Sequence, residues 1–264
     1  MTLRIAWFAT AKGTSSRLLF ASTQAAIASG RLDAEIVVVF CNRERGQSAN
    51  TDAFLDAVTA AGTPLVTISS GAWRRRVGGA VSRPGEALAS WREDFDRAVA
   101  EIVAPFRPDV GMLAGYMLVT TPALCAAIPL LNLHPAAPGG PVGTWQDVIS
   151  ALIAERASSS GMMLQRVTTA LDRGPIVSQC RYALQGEGLD GLWSAPVDAA
   201  DRESALFRAI RAEGVRREPA FIIASLQALS GRIAAGDGLP AAVGSGPALD
   251  VTAAVEAALA GSLS

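Results

Sequence analysis

The chain has 264 residues, half of them hydrophobic, with 23 basic side chains set against 24 acidic ones. A chain of this length and apolarity can bury a substantial core, as one large domain or as one domain with an appendage. Its near-neutral charge excludes a general attraction to nucleic acid or to an anionic membrane, so neither is an expected partner; Arg74, Arg75 and Arg76 are a local basic cluster.

Cys41, Cys125 and Cys180 lie far apart, and their odd number speaks against a disulfide framework. A single histidine rules out a His-rich metal site, so no metal is expected. The first apolar run is too short for a signal-peptide core, and Lys12 and Arg17 follow it closely. No run approaches the roughly 20 apolar residues of a spanning helix. A reduced, cytoplasmic compartment is the expectation.

In chain order, residues 3–9 read as a buried strand, followed by a turn at Lys12–Ser15 and a helix over 16–29 with Leu18, Ala21, Ala25 and Ala28 at helical spacing. Residues 35–40 read as a second strand, 50–61 as a helix and 64–68 as a third strand. Residues 69–84, with three glycines and the arginine cluster, read as an exposed excursion, a solvated loop or a lid for an anionic ligand. A helix over 88–106 follows, then strands at 109–114 and 130–134. This alternation predicts an α/β fold, a Rossmann-like and mostly parallel sheet with helices on both faces. Beyond Gly143 come a helix to Ala157, a strand pair at 162–168 and 176–182, and a mostly helical region from Arg202 with a Gly/Pro-rich break at 236–247.

The chemistry concentrates at Leu131-Asn132-Leu133-His134-Pro135. Residues two apart in a strand share a side, so Asn132 and His134 face one way at a carboxyl end, where such sheets bind ligands. A Gly/Pro-rich loop, 136–143, comes directly after. Farther on, Asp172 sits in a turn before Arg173-Gly174-Pro175. Taken alone, a histidine at a strand end is commonly structural and an Asp-Arg-Gly-Pro turn is commonly only a turn.

Together, Asn132-x-His134-Pro135 and Leu171-Asp172-Arg173-Gly174-Pro175 resemble the signature of the folate-dependent formyltransferases, most closely the glycinamide ribonucleotide transformylase branch. Leu113-Ala114-Gly115-Tyr116-Met117, Pro108-Asp109-Val110 and Asn42-Arg43 resemble that family's segments as well, in consistent order from Leu3 to Cys180. The resemblance implies the formyltransferase fold, with residues 1–200 as catalytic domain and 201–264 as a helical C-terminal segment packed on it.

It further implies transfer of a formyl group from 10-formyltetrahydrofolate to a small, phosphorylated primary amine such as glycinamide ribonucleotide, in one-carbon and purine metabolism. Asn132, His134 and Asp172 would be catalytic: an oxyanion donor, a proton-moving group and a relay from the attacking amine. Leu113, Met117, Val119, Ala170 and Leu171 would bind the pterin. Gly13, Thr14 and Ser15 would hold a phosphate at a helix N-terminus, the alternative being an ordinary helix cap. Glu218 is a candidate for holding the amine, the alternative being a solvent-facing helix charge. Monomer and homodimer are both compatible with the sequence.

The sequence also departs from the family. Ala11-Lys12-Gly13-Thr14-Ser15 stands where Gly-Asn-Gly-Ser-Asn is usual, Leu118 where an arginine is usual, and Gln165 where a histidine is frequent. Ala136-Ala137-Pro138-Gly139-Gly140 replaces Ser-Leu-Leu-Pro. These differences leave another amine acceptor, such as an amino sugar, as the alternative. A tRNA formyltransferase should bring a basic tail, and a formyltetrahydrofolate hydrolase a preceding domain for which Leu3 leaves no room. A non-catalytic folate- or nucleotide-binding protein would have no use for the polar trio. A dinucleotide enzyme should carry Gly-x-Gly-x-x-Gly after the first strand, which is absent.

Overall fold

The computed structural model describes residues 2–81, 87–169, 173–186, 188–195, 198–236, 239 and 247–261. They fall into two compact units, Met1–Asn132 with Val167–Arg173, and Leu133–Arg166 with Gly174–Ser264.

In the first unit, β1 (Leu3–Ala9) lies inside a parallel sheet between β2 (Ala34–Cys41) and β4 (Val110–Leu113). β3 (Leu65–Thr67) pairs outside β2, and β5 (Leu130–His134) pairs outside β4 through Asn132. The strand order β3-β2-β1-β4-β5 means the chain winds outward from β1, then returns to its other side. The winding reverses between β1 and β4, which opens a crevice at their carboxyl ends.

Apart from Arg4, β1 is apolar on both faces because both are covered. Trp7 meets Phe20 of α1 (Ser15–Ala28) edge-on at 6.2 Å, and Phe20 meets Phe54 of α2 (Ala49–Ala60) at 5.9 Å. On the opposite face Phe8 meets Phe40 and Tyr116, and Phe40 reaches Phe95 of α4 (Trp91–Val103). Phe8 is fully buried, which contributes roughly 2 kcal/mol in apolar area alone.

α1 forms as expected but turns a different face inward. Leu18, Ala21, Ala25 and Ala28 are exposed, and Ser16, Leu19, Phe20, Thr23 and Ala26 are buried. Alanine methyls bury too little area to set the phase of a helix; the large Leu19–Phe20 pair does. The excursion expected over 69–84 is exposed at 75–78, and within its described part it begins as a helix rather than a loop. Ser69 accepts a hydrogen bond from the Ala72 amide and starts α3 (Ser70–Arg76), whose Trp73 packs on Phe95 at 5.6 Å. The arginine cluster therefore lies on a helical turn, with Arg76 stacked 4.5 Å over Trp73. α4 begins at Trp91 rather than Leu88 and ends in a 3-10 turn, Ala104–Phe106, where Pro105 supplies no amide hydrogen. A short α5 (Pro122–Ala127) had no distinct sequence signal.

In the second unit, Thr144 and Asp147 form a reciprocal capping box that starts α6 (Trp145–Ala154). β6 (Ser159–Arg166) and β7 (Ile176–Ala183) pair antiparallel, and the short β8 (Leu249–Asp250), not anticipated, pairs parallel with β7. After the four-residue α7 (Asp190–Trp193), Ser204 caps the long α8 (Ala205–Ala234) at the Phe207 amide. α8 packs on β6 and β7, and α9 (Thr252–Gly261) on α8 and β7. Arg217 of α8 lies 4.5 Å over the Tyr182 ring and bonds both Glu213 and Glu256, which ties α9 to α8. Most of the expected 236–247 break lies outside the described residues. Among the described residues no helix is long and apolar enough to cross a membrane.

Gly161 of β6 is fixed by crowding. A methyl there would sit 2.3 Å from the Cys180 carbonyl oxygen and 2.8 Å from the Ala137 Cβ. Backbone cannot yield as a side-chain tip can, so Gly161→Ala is expected to cost about 1–3 kcal/mol. Urea unfolding measures this as a lower midpoint at unchanged slope.

Candidate active site

The crevice at the switch between β1 and β4 is held by Thr10. Its amide donates to the Gly115 carbonyl at 3.1 Å, and its hydroxyl accepts from the Met117 amide at 2.7 Å. Gly115 adopts φ 72°, and a Cβ there would stand 3.0 Å from Ser16 Oγ, so the β4 exit passes close to the start of α1.

The expected pterin residues divide at this exit. Leu113 is buried in the core beside Phe8 and Tyr116. Leu118 also packs inward, whereas Met117 is 62% and Val119 39% exposed. Two outward apolar side chains on either side of an inward one suit the face of a flat ring; a lone exposed residue would call for no such reading. Ala170 and Leu171, with Asp172, lie outside the described residues.

The turn before α1 is pinned from α2. Ala11 takes a left-handed φ of 52°, and its carbonyl accepts from Thr51 Oγ1 at 3.1 Å. The Lys12 carbonyl accepts from Asn50 Nδ2 at 3.0 Å. Thr14 occupies the cap position in helical backbone geometry and makes no side-chain cap bond, so it is not an ordinary capping residue. Gly13 and Thr14 are exposed, and Ser15 is half-buried. Asn42 and Arg43 serve the scaffold: Asn42 Nδ2 donates to Ser70 Oγ, and Arg43 donates to Thr51 Oγ1 and the Gln47 carbonyl.

Asn132, half-buried, closes the first unit's part of β5 opposite Leu113. His134, the last residue of that strand, belongs to the second unit and is 2% exposed. Its Nε2 lies 3.1 Å from the Pro141 carbonyl oxygen. A carbonyl can only accept, so Nε2 carries the proton in this contact. The bond orients the ring and closes the Gly/Pro-rich loop back on the strand.

Glu218 is neither solvent-facing nor unengaged. It is buried, with Oε1 2.8 Å from Arg211, whose guanidinium lies 4.6 Å over the Trp145 ring. An amine held by Glu218 would have to compete with that pair. Gln165 is buried as well. All three cysteines are free thiols; burial pushes Cys41 up to about 11 and Cys180 up to about 12, which keeps both protonated and unreactive at neutral pH. Among the described residues no three His, Cys, Asp or Glu side chains are grouped to hold a metal.

Sequence reasoning passed over Arg92 and Asp96, which the structure buries together on α4. Burial raises the Asp96 carboxyl above its ordinary range, opposed by the Thr121 amide and the Arg92 charge. Their signal was the spacing of four residues between opposite charges on one helix face.

A formyl transferase family model matches residues 3–187. Phosphoribosylglycinamide formyltransferase of Saccharomyces cerevisiae is 31% identical over 109 residues, which cover 38% of this chain and 51% of that protein. The match thus spans about half the length of that relative. Glycinamide ribonucleotide transformylase 1 from Symbiobacterium toebii superposes with a TM-score of 0.58 at 22% identity, covering 86% of this chain and 89% of its own. Phosphoribosylglycinamide formyltransferase from Coxiella burnetii gives 0.62 at 19%, covering 94% and 100%. Formyltetrahydrofolate deformylase from Burkholderia mallei gives 0.59 at 17%, covering 88% and 66%. At such identities the structural likeness is one of fold.

Proposed function

The chain belongs to the formyl transferase family, and from that premise we propose that it transfers the formyl group of 10-formyltetrahydrofolate to a small primary amine, with glycinamide ribonucleotide as the leading acceptor. The observation that carries this reading is His134. It is the one histidine of the chain, buried at a strand's carboxyl end with its Nε2 proton pointed at an oxygen acceptor.

In this reading the acceptor amine attacks the formyl carbon and the carbonyl becomes an oxyanion. The Asn132 amide and the His134 Nε2–H donate hydrogen bonds to that oxygen, replacing for His134 the bond to Pro141. Asp172 takes the proton released by the amine and relays it to His134, which passes a proton to the departing folate nitrogen as its bond to the formyl carbon breaks. One proton leaves the amine and one reaches the folate, so the transfer balances without an enzyme-bound acyl group. Met117 and Val119 offer the pterin an apolar face, and the backbone of Ala170 and Leu171 would hydrogen-bond the ring. Residues 13–15 offer amide hydrogens to a phosphate. The catalytic domain comprises residues 1–200, with 201–264 as its helical segment.

Two observations favour a second acceptor. Leu118 packs into the core where a transformylase-like arginine would add charge, and Glu218 is paired with Arg211. A different amine, such as an amino sugar or a biosynthetic intermediate, is therefore the alternative.

The test is incubation with 10-formyltetrahydrofolate and glycinamide ribonucleotide, following donor consumption and formylated product together. Stoichiometric product is the expected result. Donor bound without product moves the acceptor to another amine. Formate released with no amine present makes the chain a hydrolase, and no donor binding removes the reading.

A further inference from the structure

The segment after β4 combines two properties that rarely go together: a backbone fixed at three points, and apolar side chains left in solvent. Thr10 holds its start through the Met117 amide. Arg92 Nη2 donates to the Val119 carbonyl at 2.8 Å. Asp96 Oδ2 accepts from the Thr121 amide at 2.7 Å. Arg92 and Asp96 also face each other at 3.4 Å, both essentially buried, with the guanidinium beside the Trp91 and Phe95 rings.

Such a pair is poorly explained by stability. Two buried charges lose their hydration, and apolar residues of similar volume commonly serve a core as well or better. What apolar residues cannot do is bond the Val119 carbonyl and the Thr121 amide. Leu118 is drawn inward between those anchors, which leaves its neighbours Met117 and Val119 facing out.

We infer that Arg92 and Asp96 are positioning residues that hold residues 117–121 in the shape that presents Met117 and Val119 to the formyl donor. The inference rests on the donor site proposed above. The pair touches no reacting atom. It acts by removing the cost of ordering the loop when the donor binds.

Arg92→Lys and Asp96→Asn, each assayed in the full chain, test this. Each is expected to raise the KM for 10-formyltetrahydrofolate about tenfold through lost preorganisation, with kcat changed less than about twofold and acceptor KM unchanged. Amide exchange over 117–121 should quicken in parallel. If a single variant misfolds, the paired Arg92→Met with Asp96→Leu removes both charges while filling the space, and should show the same donor-specific rise. Faster exchange with an unchanged donor KM overturns the inference and leaves a structural clamp. Unchanged exchange overturns it too. Absence of donor binding in the parent protein is a different outcome, since it defeats the proposed donor site rather than the pair's action on it.

Discussion

His134→Ala is expected to lower kcat by about 10²- to 10⁴-fold, the range for loss of a positioned proton-transfer group. The imidazole is asked for two things at once, a hydrogen bond to the forming oxyanion and a proton for the departing nitrogen, and methyl supplies neither. The side chain is 2% exposed and bonded to Pro141, so the variant also loses a buried contact. That loss is about 1–3 kcal/mol if the carbonyl is left without a donor. Thermal unfolding beside the kinetics separates the two effects. A folded variant that turns over within a few-fold of the parent would eliminate His134 as the proton carrier.

Asn132→Ala should have the second largest effect, about 10²- to 10³-fold in kcat, as for removal of one oxyanion donor. Its signature differs from that of the pair on α4. An oxyanion donor acts only once charge develops, so kcat and kcat/KM fall together while donor KM stays near the parent value. A rise in donor KM at constant kcat would instead make Asn132 a binding residue, and the proposed division of labour would be wrong.

The sheet was legible where short, largely apolar runs are bounded by turn residues, as in residues 3–9 and 130–134. Those two strands begin and end within the expected residues. Helix faces were less legible where alanine dominates: in α1 the alanine spacing suggested one face, and Leu19 with Phe20 decided another. α3 was obscured because its glycine and three arginines resemble a loop, and only Trp73, seated on Phe95, distinguishes it. The catalytic candidates on β5 could be found because their spacing is local. Arg92 and Val119 are separated by 27 residues, and Arg211 and Glu218 mean little without Trp145 beneath them. Partnerships of that kind are made by the fold and leave no local pattern.

The central place of β1 also bears on how the chain reaches its native state. One neighbour, β2, follows within about thirty residues, whereas the other arrives only with β4; Arg4 finds Asp109 across 105 positions. Closing so long a loop before any contact repays it is slow in comparison with local pairing. During synthesis β1 therefore waits with one side bare, an apolar strand offering unpaired amides and carbonyls to any passing edge. A ribosome-bound chain that has not yet released β4 is the stage at which this protein would most need a chaperone.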